Sequence, residues 1–403
     1  MQTIMVEDKA GNTKIRGVNK VIRNVFLKKI MKNTIFPFLT LVNKIIPKKD
    51  MQILLYSANG GICHSLVPIR EYLLENGYDR KYRIICGIEK LEYAEKDKLE
   101  YCRQIKALFY FLCTKHVFYT AGQIPVKPSK QQIVIHLGHG NANFKACGSL
   151  TDISNGDEFF FTYMAASSEL FIPSMVREYR CKRDNIAVIG DPLLDKLLTV
   201  KEKYDLGQYK KVLLWVPTFR QSDYLGYDDS DMEEMIPLFT EDDYDDLNRE
   251  LGERQIRLIV KLHPMQNIKK KCLHNDSYLN LYSDSEFRKE GFELYNLMAQ
   301  VDGLIGDYSS TSLQYLLADK PQAYVVPDIA EYKEKRGFIF SDPETYMAGH
   351  IIQEKKEFWS FLDDIICERD IYAEKRAWVR GQAFQYTDNQ NCKRAIRLSR
   401  IHL

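Results

Sequence analysis

From residue 51 onward, short apolar runs alternate with amphipathic stretches. Ile53–Tyr56 is an apolar run of strand length, Asn59-Gly60-Gly61 reads as a loop, and Leu66 to Leu74 carries the single apolar face of a helix. Further runs predict strands at Tyr82–Cys86, Val117–Tyr119, Ile133–Leu137 and Ile186–Ile189. A second series starts at Val212–Val216 and continues through Ile256–Leu262, Gly303–Ile305 and Ala323–Val326. Strands alternating with helices predict parallel sheets wound on both faces. Lys201, Glu202 and Lys203 begin a polar connector, so the boundary between the two series is expected near 195–211. The end of the chain, 351–403, reads as helices.

The first fifty residues follow a different pattern. Ile15, Val18, Ile22, Val25 and Phe26 keep helical spacing among Lys14, Arg16, Lys20, Arg23, Lys28, Lys29 and Lys32. Ile35, Phe36, Phe38, Leu39 and Leu41 add an apolar block, closed by Lys44, Lys48 and Lys49. A basic amphipathic segment of this kind suits the headgroup region of an anionic membrane, and the alternative is a helix packed on the protein body. No recognised nucleic-acid-binding fold accompanies the charge, so nucleic acid is not the expected partner. The expected organisation is therefore 1–50 as the basic segment, 51–200 and 201–350 as two α/β domains, and 351–403 as terminal helices.

Composition sharpens this in three places. A chain of 403 residues exceeds one ordinary core, which supports two domains. The net charge of +2 hides an uneven distribution, with Lys and Arg dominating residues 1–50 and Asp and Glu dominating 221–250. The acidic block, with Asp229, Asp231, Asp242 and Asp243, reads as a solvated face rather than a metal site. The nine cysteines show no CxxC spacing, so reduced thiols in a cytoplasmic protein are expected and a structural zinc is not. No apolar run reaches the length of a spanning helix.

Candidate chemistry gathers at strand ends. His139 follows the run Ile133–Leu137 and stands between Gly138 and Gly140, a titratable imidazole with small neighbours. His136, two residues before Gly138, is expected to be a strand side chain. His263 precedes Pro264 at the end of another strand. The stretch from Val301 reads strand, tight turn, helix: Gly306 and Asp307 make the turn, and Ser309, Ser310 and Thr311 open a helix whose apolar face is Leu313, Leu316 and Leu317. Free N–H groups at a helix start, flanked by hydroxyls, suit phosphate. Arg220, Arg336 and Lys145 are cations placed to meet phosphate oxygens.

GDYSSTSLQYLLADKP at 306–321, followed by PDIAEYKEKRGF at 327–338, resembles the C-terminal signature of the CDP-glycerol glycerophosphotransferase family. HLGHGNANFKACG at 136–148, IGDPLLD at 189–195, LLWVPTFR at 213–220 and KLHP at 261–264 are similar to other family motifs, in the expected order. The resemblance implies a GT-B fold, two doubly wound Rossmann-like domains facing a cleft. It implies transfer of glycerol phosphate from CDP-glycerol, or ribitol phosphate from CDP-ribitol, to a lipid-linked glycan or polyol-phosphate acceptor in teichoic acid or capsule synthesis. CMP leaves, no cofactor or metal takes part, and the protein sits peripherally on the cytoplasmic face of the bacterial membrane.

The resemblance also assigns roles. His139 becomes the general base, His263 a donor-phosphate contact, and Ser309, Ser310 and Thr311 the phosphate cradle, with Asp307 setting their turn. The family pattern is not complete: Gly138 stands where Trp is usual, Asn141-Ala142 replaces Thr-Pro, Leu193 replaces Arg, and Gln314 replaces an acid. Two other readings remain: a nucleotide-sugar glycosyltransferase of the same fold, and a non-catalytic membrane scaffold.

Overall fold

The computed structural model describes residues 6–7, 13–14, 31–138, 140–147, 150, 158–218, 234–264 and 275–403. Near the start, β1 (Val6–Glu7) and β2 (Thr13–Lys14) pair antiparallel. The apolar positions 15–26 of the basic segment lie outside the described residues. Its second half is helical: a wide turn, Met31–Ile35, runs into the helix Phe36–Ile45. Pro37 sits in that helix's first turn, where a missing N–H removes no bond.

Two compact units follow from the pattern of contacts. The first comprises Met1–Asn141, Gly148–Asp195 and Gln385–Leu403; the second comprises Ala142–Cys147 and Lys196–Phe384. The chain thus leaves the first unit twice, once for six residues after the Gly138–Asn141 loop.

In the first unit, β3 (Lys49–Ser57), β4 (Arg83–Ile88), β5 (Glu100–Arg103), β6 (Thr114–Thr120), β7 (Ile133–His136), β8 (Tyr163–Ala166) and β9 (Ile186–Val188) form one parallel sheet ordered β5-β4-β3-β6-β7-β8-β9. Both faces are covered. Ile53 and Leu55 pack with Leu66, Ile69 and Leu73 of the helix Leu66–Glu75 and with Ala395 and Ile396 of Asn391–Leu398. Leu54 and Tyr56 pack against Ala107 and Phe111 of Gln104–Cys113. Alternate residues reaching opposite covered faces explain why β3 is a continuous apolar run. The expected strands at Tyr82, Val117, Ile133 and Ile186 each appear, shifted at their ends by a few residues. β5 and β8 were not foreseen. β5 (EYCR) is a polar edge strand, and β8 (YMAA) is built mostly of small residues.

The second unit repeats the plan. β10 (Lys211–Trp215), β11 (Ile256–Lys261), β12 (Leu279–Tyr282), β13 (Gly303–Gly306), β14 (Gln322–Val325) and β15 (His350–Ile352) are all parallel, in the order β12-β11-β10-β13-β14-β15. Leu213, Trp215, Leu258, Val260 and Ile305 share a core with Leu247 and Leu251 of Tyr244–Glu253 and Phe358, Phe361 and Leu362 of Lys355–Ile366. Short edge strands β12 and β15 escaped the sequence reading. The terminal stretch expected as one helical block is divided: Lys355–Ile366 and Ala373–Ala383 belong to the second unit, and Asn391–Leu398 to the first.

In both sheets the chain first builds outward on one side, then crosses to build on the other. The reversal lies between β3 and β6 and between β10 and β13. Ligands of open parallel sheets bind outside the carboxyl ends of strands at such reversals.

Candidate active site

At the second unit's reversal, β10 ends with Trp215, and β13 ends with Gly306. Val216 N–H still donates to Ile305 O at 3.0 Å, so the two strands run side by side to their ends. The next residues, Thr218 and Asp307, then meet. Asp307 is 1% exposed. Its Oδ2 accepts the Thr218 N–H at 2.7 Å, and its Oδ1 accepts the Thr218 hydroxyl at 2.6 Å and the Ser309 N–H at 3.1 Å. One carboxylate therefore joins both loops of the reversal and shapes the entry to the helix Ser310–Gln314.

Small residues make that geometry possible. Asp307 N–H donates to Ser312 Oγ at 3.1 Å, and Ser312 Oγ lies 3.3 Å from Ser309 Oγ. A Cβ at Gly306 would come within 2.2 Å of Ser312 Oγ, so only glycine lets the hydroxyl fold back on the strand end. Ser309 has extended backbone and its side chain caps no N–H. Ser309, Ser310 and Thr311 are half-buried. Gln314, where the family pattern has an acid, is buried and accepts the Tyr295 hydroxyl at 2.9 Å. Its place is in the packing beneath the helix.

Two cations approach from another direction. Lys145 belongs to Ala142–Cys147, which joins the second unit by main-chain bonds. It pairs antiparallel with Phe338, while Ala146 N–H donates to Gly337 O at 3.0 Å and Ile339 N–H to Phe144 O at 2.8 Å. Lys145 Nζ donates to Thr218 Oγ1 at 3.3 Å and lies 5.8 Å from the Tyr332 ring centre. Arg336 ends the helix Ile329–Lys335, with Gly337 (φ +79°) in the left-handed position that terminates it. Arg336 Nη2 lies 3.8 Å from Cys147 Sγ. Tyr308 completes the floor: its hydroxyl donates to Asp328 at 2.9 Å and its ring packs 4.2 Å from that of Tyr332.

Asp307, Ser309 and Lys145 thus share one hydrogen-bonded cluster through Thr218, a residue the sequence reading passed over in favour of Arg220. Ser310 and Thr311 lie in the first turn behind it, and Arg336 is set on the same strand pairing as Lys145. His263 is half-buried just beyond β11, which neighbours β10 on the side away from β13. His139 and Arg220 lie outside the described residues. The acids Asp229 and Asp231 do too, whereas Asp243, just before the helix Tyr244–Glu253, accepts the Thr240 N–H at 2.8 Å and pairs with Lys355 at 2.5 Å.

In the first unit, the flanks of position 139 are well defined. Gly138 O accepts the Thr120 hydroxyl, and Asn141 Nδ2 donates to Leu137 O at 2.8 Å. Gly138 has φ +78°, and a Cβ there would fall 1.5 Å from Asn141 Oδ1. His136, as expected of a strand side chain, is buried, with its ring 4.4 Å from that of Tyr119. Asp191, after β9, is also buried; it accepts the Ser65 hydroxyl at 2.7 Å and the Leu193 N–H at 3.0 Å through Oδ1. Burial outweighs these donors and raises the Asp191 pKa from 3.8 to about 6.

A carboxyl whose folded pKa is raised binds more protons folded than unfolded across that interval. Stability from this group is present below 3.8 and is lost as pH rises to about 6. At 1.36 kcal/mol per pKa unit the loss is roughly 3 kcal/mol. Urea unfolding of the wild type and Asp191→Asn across this range should show the wild type losing stability relative to the variant as pH rises, then a constant difference. A constant difference throughout would contradict it.

A family model described as CDP-glycerol:poly(glycerophosphate) glycerophosphotransferase matches residues 38–399. Among curated proteins, the chain is 26% identical over 290 residues to the teichoic acid ribitol-phosphate polymerase TarL of Staphylococcus aureus, covering 68% of this chain and 48% of that one. It is 24% identical over 388 residues to the teichoic acid ribitol-phosphate primase of Bacillus spizizenii, covering 90% of this chain and 92% of the primase. Among solved structures, the wall teichoic acid polymerase TagF superposes with a TM-score of 0.69 at 20% identity, over 94% of this chain and 95% of that chain. That likeness establishes a GT-B-like fold.

Proposed function

The chain belongs to the CDP-glycerol:poly(glycerophosphate) glycerophosphotransferase family, and on that premise we propose that it transfers glycerol phosphate from CDP-glycerol to a hydroxyl of a lipid-linked glycan or polyol-phosphate chain. In this reading the first unit serves the acceptor and the second holds the donor. His139 takes the proton of the acceptor hydroxyl, and the oxygen attacks the donor's β-phosphorus. The bond from that phosphorus to the bridging oxygen breaks, CMP leaves with the electron pair, and a phosphodiester remains. His263, Ser309, Ser310, Thr311 and the cations Lys145, Arg220 and Arg336 stabilise the charge on the phosphates.

The observation that carries this reading is the Asp307 clamp. It fixes the start of the helix Ser310–Gln314, with its first-turn N–H groups and hydroxyls, at the sheet reversal beside Lys145. CDP-ribitol is the second donor to test, because two of the relatives are named for ribitol phosphate. Incubation with each donor and lipid-linked acceptors, read by CMP release and product mass, separates the two. A product without added phosphorus would mean sugar transfer, and no CMP release with either donor would reject the transferase reading.

The same reading places the protein on an anionic membrane. Among the described residues no helix is long and apolar enough to cross one. The helix Phe36–Ile45 exposes Phe38, Leu41 and Ile45, and packs beside Gln104–Cys113, which exposes Ile105 and Phe109. Lys44 and Lys106 flank these side chains. Phe38→Asp with Leu41→Asp should abolish co-sedimentation with anionic vesicles, and wild-type binding should weaken with salt as the Debye length shortens. Undiminished vesicle binding by the double variant would reject this surface.

A further inference from the structure

The loop after β4 in the first unit carries two exposed apolar side chains that the proposed chemistry does not use. Leu91 and Tyr93, in the short helical turn Leu91–Tyr93, are 44% and 55% exposed. Strand β4 runs parallel to β3, so this loop leaves the carboxyl edge of the sheet beside the reversal between β3 and β6. Ligands of open parallel sheets bind at that edge.

The loop is held at both ends. Its start pairs with the loop after β3: Glu89 N–H donates to Asn59 O at 3.1 Å and Lys90 N–H to Gly60 O at 2.9 Å. Its end is tied down by Asp97, which accepts the Leu99 N–H at 3.0 Å and the Tyr101 hydroxyl at 2.9 Å. Asp97 also lies 3.6 Å from Arg70 Nη1 of the helix Leu66–Glu75. The loop after β3 is fixed in turn, because Ser57 Oγ donates to Gly61 O at 2.7 Å.

Gly60 and Gly61 make room for the aromatic side chain between these anchors. A Cβ on Gly60 would stand 3.0 Å from Tyr93 Cδ2 and 3.1 Å from its Cε2, and one on Gly61 would stand 3.1 Å from Tyr93 Cβ. Bare backbone therefore receives one edge of the ring, and the residue still presents more than half its surface to solvent. Lys90 Nζ is 5.4 Å from the ring centre and 3.9 Å from Glu92 Oε1. An exposed cation–π contact of this kind is weak and readily exchanged for a ligand. A rigid aromatic ring with an ammonium and a carboxylate beside it matches a sugar. The C–H groups on one side of a pyranose pack on the electron-rich ring face, and its hydroxyls find both a donor and an acceptor. A bare polyol phosphate has the hydroxyls without the flat C–H face.

We infer that Tyr93 forms a subsite for the acceptor, stacking against a pyranose ring of its glycan. The inference rests on the reading of the first unit as the acceptor side. β4 and β7 are three strand spacings apart in the sheet, about 14 Å. The sugar held at Tyr93 is therefore not the unit that reacts after β7 but one further back along the acceptor.

The test uses the full-length chain with Tyr93→Ala, Tyr93→Leu and Tyr93→Phe. CMP release is followed with CDP-glycerol and with CDP-ribitol on two acceptors, a lipid-linked pyranose disaccharide and a glycerol-phosphate oligomer without sugar. Tyr93→Ala should raise KM for the disaccharide acceptor about 3–10-fold, the usual worth of one aromatic contact. Its kcat, its KM for the oligomer and its calorimetric affinity for the donor should stay at wild-type values. Tyr93→Leu, which keeps apolar bulk without a flat face, should raise the disaccharide KM less, and Tyr93→Phe should leave it unchanged. Saturation-transfer NMR with the free disaccharide should mark its ring C–H protons in the wild type and lose that signal in Tyr93→Ala. An unchanged disaccharide KM in Tyr93→Ala overturns the inference. So does an equal rise for both acceptors, which would mean a loosened loop, and so does a wild type that uses only the sugar-free oligomer. Loss of anionic-vesicle binding by Tyr93→Ala would assign the ring to the membrane and overturn it too. If Tyr93→Ala does not fold, Tyr93→Leu against Tyr93→Phe decides. If the wild type releases no CMP with either acceptor, the transferase reading fails, and the NMR signal decides the stacking by itself.

Discussion

His139→Ala lowers turnover by about 10²–10⁴-fold, the usual loss when a general base is removed. It leaves the fold and donor binding nearly intact. The expectation comes from position in the sequence: the residue follows β7 between Gly138 and Gly140, and its described neighbours are held by Thr120 on Gly138 O and by the Asn141 side chain on Leu137 O. No neighbour in that turn offers a second imidazole, since His136 is packed against Tyr119, Phe159 and Tyr179 in the sheet. Rapid-quench measurement of CMP release, alongside calorimetry with CDP-glycerol, separates the chemical step from binding. Near-normal turnover by a folded variant would remove His139 from the mechanism.

Asp307→Ala should be the most damaging single change in the second unit. It removes the acceptor of the buried Thr218 N–H and hydroxyl and of the half-buried Ser309 N–H. Each buried donor left without an acceptor costs about 1–3 kcal/mol, so a loss of roughly 3–5 kcal/mol in unfolding free energy is expected. Donor affinity should fall with it, because the turn that presents Ser309 and Ser310 loosens. Replacing both of those serines by alanine makes a useful contrast. That pair removes hydroxyls but leaves the helix-start N–H groups and the clamp, so it should cost about 1–3 kcal/mol in donor binding and little stability. Denaturant unfolding with CDP-glycerol titration measures both. An Asp307→Ala protein as stable as wild type would show that the clamp does not hold the two loops.

The strands that local pattern identified are those with both faces covered. β3, β6 and β10 show apolar runs because every second residue points into one core and the rest into another. The strands it missed are short or lie at sheet edges, as β5, β12 and β15 do, where one side is open and the run is broken by polar residues. The motif at 306–321 was legible for the same local reason. Strand, glycine turn, hydroxyls and apolar helix face all fall within seventeen consecutive residues, Val301 to Leu317.

The partners of those motifs were not legible. Thr218 lies 89 residues from Asp307, Lys145 lies 73 from Thr218, and Ser65 lies 126 from Asp191. Arg220 drew attention by its charge, while Thr218, two residues earlier and uncharged, did not, although it meets both Asp307 and Lys145.

The sequence alone determined that this is a two-unit parallel α/β protein with candidate phosphate-binding residues at strand ends, because periodicity and turn residues act over a few neighbours. The tertiary structure decided which strand ends stand side by side. Strand order is set by how whole faces are buried against helices, and it brings Asp307 to Thr218 and Asp191 to Ser65. It also decided that six residues after the Gly138–Asn141 loop pair with Gly337 and Phe338 and deliver Lys145 to the second unit. Main-chain bonds hold that segment in place, and main-chain bonds carry no signature in the identity of the side chains.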